Sequence, residues 1–429
     1  MNQSEAIQLW AMLGAEGKAP TELTHASHVL PSYSVGIEPW IDRLARLYLR
    51  NLCRGAAHFK LVLAPYGGGK THFLLTLGIR ARDQENFAVA YVPCGEGVSL
   101  DSPLDVYREL VKHLQLPGQD QPGLRVFLGA TGRAKRDDIR QRGVPDVDAA
   151  FRLWVSDVRK RDYPENAFGR VMAAALQATG DGADSPVGDA ALRWLQGDVD
   201  TLGRSDMQEL HLARVPAASR RQFGRNLLLS LVKFLPEAGV HGLLLLMDEV
   251  ETLFQVRRGA AALRILGAMR VILDAPTGVS GGVPLFGVFS ATPDVLEEFR
   301  KYPALEQRLA VRGASFDQGN DLAPQMPLDK VQSQETFLAE IGEKLIGVGA
   351  IALVKPFDRE LQRINARRLA RVASERSLDV DARRLFVKTW VNLLDIQSSE
   401  GEREIEEDEL MARYSGSFES VDTDPEFEP

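Results

Sequence analysis

Four uninterrupted apolar runs punctuate the chain: "HFKLVLAP" (58–65), "FAVAYVPC" (87–94), "GLLLLMDE" (242–249) and "VPLFGVFSATPD" (283–294). Each has the length of a strand and is rich in β-branched, aromatic or leucine side chains. None alternates apolar with polar residues, so each is expected to be buried on both faces, as in a parallel sheet covered by helices. Residues at helical spacing lie between them, in "THFLLTLGIRARD" (71–83) and "AALRILGAMRVILDA" (261–275). From about 102 to 233 the pattern is mostly helical, broken by the loop signals "LPGQDQPG" and "ATGDGADSPVGD". Amphipathic pieces such as "AAFRLWVSDVRK" and "RQFGRNLLLSLVKFL" belong to this long helical insertion. The fold class is α/β.

The first run leads into "LVLAPYGGGKTH" (61–72). This matches a phosphate-binding loop except that its first glycine is Ala64. A phosphate cradle needs consecutive backbone N–H groups turned inward, which glycine permits through positive φ. Gly67, Gly68 and Gly69 supply that run. Lys70 would reach the β- and γ-phosphates of a nucleotide and Thr71 would hold Mg²⁺. Tyr66 and His72 flank these residues and complete the candidate contact stretch. A glycine-rich hairpin turn is the bland alternative. A strand before the loop and a helix after it, whose N-terminus points at the anion, favour the phosphate cradle.

The third run ends in adjacent acids, Asp248 and Glu249, where parallel α/β sheets bind their ligands. Asp248 could hold the Mg²⁺ and Glu249 could deprotonate an attacking water. Alternatively, these acids merely cap a buried strand in solvent. The fourth run ends in Thr292, which could sense the γ-phosphate or cap the helix that follows. Beyond it, "YPALEQRLA" offers Arg308, either a finger for a neighbouring subunit's γ-phosphate or one half of a surface ion pair. "GVSGG" (278–282) fits the serine-hydrolase pattern but lacks the strand before and helix after that a nucleophile elbow requires. The histidines of "HASH" (25–28) have no nearby partners in sequence that suggest a metal site.

Composition adds limits. At 429 residues, with 45% apolar and 26% charged side chains, the chain is an ordinary globular protein of more than one domain. No apolar run reaches the ~20 residues needed to cross a bilayer, and no export signal opens the chain. Cys53 and Cys94 are the only cysteines. Together these predict a cytoplasmic protein without disulfides or membrane association. The net charge of −8 is unevenly spread: residues 399–429 carry twelve acidic and two basic side chains, leaving the rest at +2. Such an acidic segment is expected to be disordered, either a solubilising tail or a competitor for a basic face.

Taken together, these motifs resemble an AAA+ ATPase of the origin-recognition type. More closely, the chain is similar to the ATP-binding proteins of BREX bacteriophage-resistance systems, in particular those of the D type (BrxD-like). The resemblance rests on "SVGIEPWIDRL", "FKLVLAPYGGGKTHFL", "ALRWLQG", "GLLLLMDEVETL", "GVFSATPDVLEE", "KYPALEQRLA" and "DARRLFVKTWVNLLD". It implies that Val35 and Gly36 approach the adenine, that Lys70 and Thr71 bind phosphate and magnesium, and that Asp248 and Glu249 are the metal-binding and catalytic acids. It further implies that Thr292 is the first sensor, Arg308 the arginine finger and Arg384 the second sensor. Arg383 stands where the family has a proline.

The organisation this resemblance implies is an N-terminal extension (1–30), a P-loop ATPase core (31–328) with its insertion (102–233), a helical lid (329–397) and the acidic tail (398–429). The implied cofactors are ATP and Mg²⁺. A homo-oligomer that works with DNA, a helicase or a methyltransferase is implied too. Because no winged-helix DNA-binding domain follows the lid, DNA contact would fall to a partner or to the arginine-rich "RELQRINARRLARVASER" and "GRAKRDDIRQRG". Those runs could equally be solvated, salt-bridged faces. The activity expected is ATP hydrolysis by a motor or switch, with an ATP-dependent adaptor of negligible turnover as the alternative.

Overall fold

The computed structural model describes residues 1–17, 20, 23–50, 57–95, 98–180, 185–255, 259–273, 285–303, 306, 315–316, 320–328, 333–375 and 382–419. It divides into two compact units: Leu44–Leu61 with Arg80–Met326, and Met1–Arg43 with Val62–Ile79 and Pro327–Pro429.

The first of these units is built on a six-stranded sheet. Its strands are β1 (Ala57–Leu63), β2 (Ala88–Pro93), β3 (Leu114–Gln115), β4 (Leu243–Asp248), β5 (Leu285–Ala291) and β6 (Gln325–Pro327), in the order β3-β2-β4-β5-β1-β6. The last two residues of β1 carry the chain into the other unit. β2, β4 and β5 are parallel, with Ala88 opposite Leu243, Pro93 opposite Asp248 and Met247 opposite Phe289. All of β4 and β5 is buried, as their unbroken apolar runs predict. The four expected strands are present, and two short ones join them. β3 runs antiparallel to β2, and it and β6 are only two and three residues long, too short to leave a pattern in the sequence.

Lys60 ties the β6 end of the sheet to β1. Its buried ammonium donates to the carbonyls of Asp321 (3.0 Å) and Ala323 (2.6 Å) and lies over the rings of Tyr48 and Phe316. Burial lowers its pKa to about 8, against the upward pull of Asp321. The helices between β2 and β4 run Pro103–Lys112, Leu124–Gln141, Val147–Lys160, Phe168–Gly180, Pro186–Leu195, Arg204–Glu209 and Arg220–Phe234. Ser102 and Asp146 cap two of them by accepting backbone N–H bonds. Helices Pro103–Lys112 and Arg220–Phe234 approach so closely that a Cβ on Gly224 would lie 2.3 Å from the Leu104 nitrogen.

In the second unit the helix Gln3–Glu16, closed by a capping box between Asn2 and Glu5, packs on the lid helices Gln334–Ala352 and Ala382–Glu400. Trp10 donates its indole N–H to Asp395 (2.7 Å), and its ring fills the space where a Cβ on Gly349 would stand. The helix Arg359–Glu375 completes the lid, and the Trp390 indole donates to the Gly342 carbonyl at 3.0 Å. Among the described residues no helix is long and apolar enough to cross a membrane.

One expectation needs correction. Residues 398–419 are not an unstructured tail: helix Ala382–Glu400 runs past 397, and a further helix, Glu407–Glu419, packs on the lid. Ile405, Leu410 and Tyr414 are buried, so this acidic stretch has a small core of its own making. Its charges are matched as well, Glu404 by Arg368, Glu407 by Arg371 and Glu409 by Arg403 and Arg413. Residues 420–429 lie outside the described residues.

Val354, just past the helix Gln334–Ala352, has φ +53° and is 72% exposed. Helices commonly end on a left-handed residue, but that residue is usually glycine, because a β-branched side chain is strained there. Val354→Gly is therefore expected to stabilise the protein by about 1 kcal/mol, the relieved strain exceeding the entropic cost of glycine. A urea titration reads this directly. An unchanged or lower midpoint would mean that the position stores no strain.

Candidate nucleotide-binding site

The phosphate loop lies in the unit that also holds the lid. After Ala64 and Pro65 the chain turns through Gly67 (φ +66°) and Gly69 (φ +86°), and the helix Lys70–Asp83 begins. Gly68 explains the missing first glycine. A Cβ there would lie 2.6 Å from the Ala64 Cβ and 2.8 Å from the Pro65 carbonyl, so the bare Gly68 makes room for the Ala64 methyl. The Lys70 ammonium, in a residue 5% exposed, folds into the loop. It donates to the carbonyls of Ala64 (3.2 Å) and Pro65 (3.3 Å) and lies 4.9 Å from the centre of the half-exposed Tyr66 ring. Two left-handed glycines, a helix start and a buried cation form a donor set suited to a polyphosphate. Thr71 follows as the second residue of the helix, where its hydroxyl could serve a magnesium ion.

The segment expected near the adenine is fastened to this same helix. Ser34 donates its hydroxyl to the Leu30 carbonyl (2.7 Å), so His72 Nε2, 2.7 Å from that hydroxyl, carries a proton and donates to it. Lys344, from the lid, donates to the Ser34 carbonyl and lies 3.3 Å from Glu38. Val35 is buried, and Gly36 turns the chain at φ +72°. The His72 ring, met edge-on by Tyr33, thus faces Ser34. It fastens the segment of Ser34 to the helix Lys70–Asp83.

Arg383 comes to the loop from the lid. Its Nη1 donates to the Gly68 carbonyl at 2.6 Å, and its guanidinium stacks on Phe337. The sequence alignment had pointed to Arg384, but the carbonyl of Arg384 instead abuts Gly17. A slip of one residue turns a helical side chain by about 100°, which is why the neighbouring arginine meets the loop.

The acids lie in the other unit, at the end of β4. Asp248 is 2% exposed and accepts three hydrogen bonds: from the Tyr91 hydroxyl (2.7 Å), from the Ser290 hydroxyl and from the Glu249 N–H (3.1 Å). Glu249 is half-buried at φ +55°, and its N–H also reaches Ser290 Oγ at 3.1 Å. A non-glycine residue held left-handed beside a buried carboxylate marks a position where local strain is kept for a purpose. Glu251 is nearly inaccessible, which leaves Glu249 the better placed of the two to meet water. Burial, and after it Asp248, Glu251 and Glu249, push the Cys94 thiol well up.

Thr292 ends β5 buried, and its hydroxyl has no hydrogen-bond partner among the described residues. It caps nothing there, since the following helix, Val295–Arg300, starts on Asp294 without a side-chain cap. A hydroxyl kept dry and unpartnered suits a sensing role better than a capping one. Arg308, the histidine side chains of "HASH" and the "GVSGG" stretch lie outside the described residues. Tyr91 and Ser290, the donors that fix Asp248, were not singled out in the sequence. Only the strand register, which puts Pro93 opposite Asp248 and Phe289 opposite Met247, brings them together.

An α/β sheet of this order in one unit and a glycine loop opening a helix in the other are features of a nucleotide-binding protein. The chain matches the family of BREX system ATP-binding proteins, BrxC/D, over residues 28–411, and it belongs to that family. Among solved structures it is similar to the ORC2 protein of Aeropyrum pernix, solved as ADPNP–ADP complexes. The identity is 15%, the match covers 94% of this chain and 71% of that one, and the TM-score is 0.44. No curated protein matches it.

Burial lowers the pKa of His72 to about 4, Lys344 adding to the effect and Glu38 opposing it. Between that value and the ordinary 6.5 the unfolded chain binds the proton and the folded one does not, so stability falls as pH drops below 6.5. The loss from this group should be about 2 kcal/mol between pH 7 and pH 4.5. His72→Gln, which retains a donor for Ser34 but does not titrate, should show a correspondingly shallower decline in urea midpoint. Parallel pH profiles for the two proteins would exclude His72 as a source of acid sensitivity.

Proposed function

We propose that the chain binds and hydrolyses ATP with Mg²⁺ and acts as a nucleotide-driven switch in a bacterial anti-phage defence system. The observation that carries the ATP reading is the Lys70 ammonium, drawn into a loop of left-handed glycines and resting on two neutral carbonyls. A charged phosphate oxygen is a stronger acceptor than either carbonyl, so the lysine is set to exchange them for nucleotide. In this reading Gly67–Gly69 and Lys70 hold the phosphates, Thr71 and Asp248 hold the metal, and Val35 and Gly36 face the base. Bound Mg²⁺ would supply charge neutralisation at the phosphates. Glu249 accepts the proton of the attacking water, Thr292 senses the γ-phosphate, and Arg383 takes the place proposed for Arg384.

Partner proteins, rather than this chain's own arginine-rich helices, are the proposed route to DNA. Arg368 and Arg371 are spent on Glu404 and Glu407. In the insertion, Arg140 pairs with Asp137, Arg142 with Asp138, and Arg136 stacks on Phe151. Such pairing reduces the positive charge these faces present, which favours recruitment of a helicase or methyltransferase over direct phosphate contact. Assembly of several copies, with Arg308 serving a neighbour's site, belongs to the same proposal.

Two variants test it. Lys70→Ala should weaken ATP binding by at least about a hundredfold, because the cradle loses its only buried cation. Wild-type affinity in a folded Lys70→Ala protein would end the P-loop reading. Glu249→Gln should keep ATP affinity within a few-fold while turnover drops by about a hundredfold or more, as expected for loss of a general base. If turnover is negligible in both Glu249→Gln and the parent, the chain is an ATP-dependent adaptor rather than an ATPase.

A further inference from the structure

We infer that the C-terminal helix Glu407–Glu419 positions the nucleotide site, acting through Tyr414 on the start of the helix that carries Arg383. This rests on the ATP-binding reading above. Arg383 is the second residue of helix Ala382–Glu400, so the direction of its guanidinium depends on where that helix begins. Helix starts are the loosest part of a helix, because their first N–H groups have no partner within it. Here the start is gripped from the C-terminal helix. Tyr414 is 1% exposed and its hydroxyl lies 3.5 Å from the Ala382 carbonyl, one residue before Arg383. At that length the hydrogen bond is weak, and it is backed by the packing of the helix Glu407–Glu419, with its buried Tyr414 ring, on the helix Ala382–Glu400.

The C-terminal helix is itself anchored to the lid. Asn365 accepts from the Ile405 N–H (2.9 Å) and donates to the Arg403 carbonyl (3.0 Å), while Gln362 donates to Glu402 (2.9 Å). Arg371 and Glu407 add an exposed ion pair at 3.1 Å. A continuous set of contacts therefore runs from helix Arg359–Glu375, through residues 402–409 and Tyr414, to Ala382, Arg383 and the Gly68 carbonyl. A segment serving only solubility would need neither the buried tyrosine nor the two buried amides. Tyr414 is thus a positioning residue, since it reaches the loop only through Arg383.

The experiment is a double-mutant cycle on ATP affinity in the full chain, with folding checked by circular dichroism. Tyr414→Ala and Arg383→Ala are each expected to raise the ATP dissociation constant about fivefold to tenfold, and the double variant should be no weaker than Arg383→Ala alone. Tyr414→Phe, which keeps the ring, should bind ATP like the parent. Tyr414→Leu stands in if Tyr414→Ala does not fold. Unchanged affinity in folded Tyr414→Ala or Tyr414→Leu, or effects that multiply in the double variant, would overturn the inference. The ATP reading has its own arm: if Lys70→Ala still binds ATP like the parent, that reading has failed. If Lys70→Ala loses binding while Tyr414→Ala does not, only the positioning role has.

Discussion

The phosphate loop depends on one close approach, that of Gly68 to Ala64 and Pro65. No side chain fits at 68, and because none is there the chain can close tightly enough for the Lys70 ammonium to reach back to two of its own carbonyls. Burying a charge is costly unless its protons are satisfied, and two carbonyls of the loop backbone accept hydrogen bonds from this one. A carboxylate partner would neutralise the very charge that nucleotide must meet. Neutral acceptors hold the lysine in place without adding negative charge of their own. Arg383 likewise rests on the Gly68 carbonyl and the Phe337 face.

The acids at the end of β4 show the opposite arrangement. Asp248 is surrounded by donors, two hydroxyls and a backbone N–H, all neutral. They supply the hydrogen bonds that a buried carboxyl group requires. The backbone bond is available only because Glu249 is left-handed, turning its N–H back toward Asp248 and Ser290. The left-handed backbone at 249 and the hydrogen bonding of 248 are therefore two aspects of one geometry. That coupling also keeps Glu249 half-exposed at the strand edge, while Glu251, two residues on, is buried.

Much of this was legible in the sequence, and the failures have physical causes. Strands buried on both faces announce themselves as unbroken apolar runs, so β1, β2, β4 and β5 could be placed from "FKLVL", "AVAYV", "LLLLM" and "LFGVFSA". Short edge strands such as β3 and β6 are defined by pairing alone, and pairing is not written locally. The same holds for Tyr91 and Ser290, ordinary strand residues until the register sets them against Asp248. Lys70, Thr71, Asp248 and Glu249 could be proposed from sequence because loop and strand-end patterns are local. Arg383, beside the expected Arg384, is the arginine seen against the Gly68 carbonyl; a motif fixes a helix start only to within a residue, and one residue is more than a quarter of a turn.

The acidic C-terminus was misjudged for a different reason: composition was allowed to outweigh position. Twelve acids among few apolar residues satisfy the usual signature of disorder, but that signature assumes that the charges repel one another in water. Here several face arginines on the lid helix Arg359–Glu375 and on their own helix, so self-repulsion becomes attraction. Each exposed pair is worth little alone. Three buried side chains, Ile405, Leu410 and Tyr414, then provide the apolar contact that the pairs align. The arginine run of the lid and the acid run of the C-terminus look like two separate surfaces when read along the chain. In the folded unit they are two sides of one interface, and neither can be assigned a partner without the other.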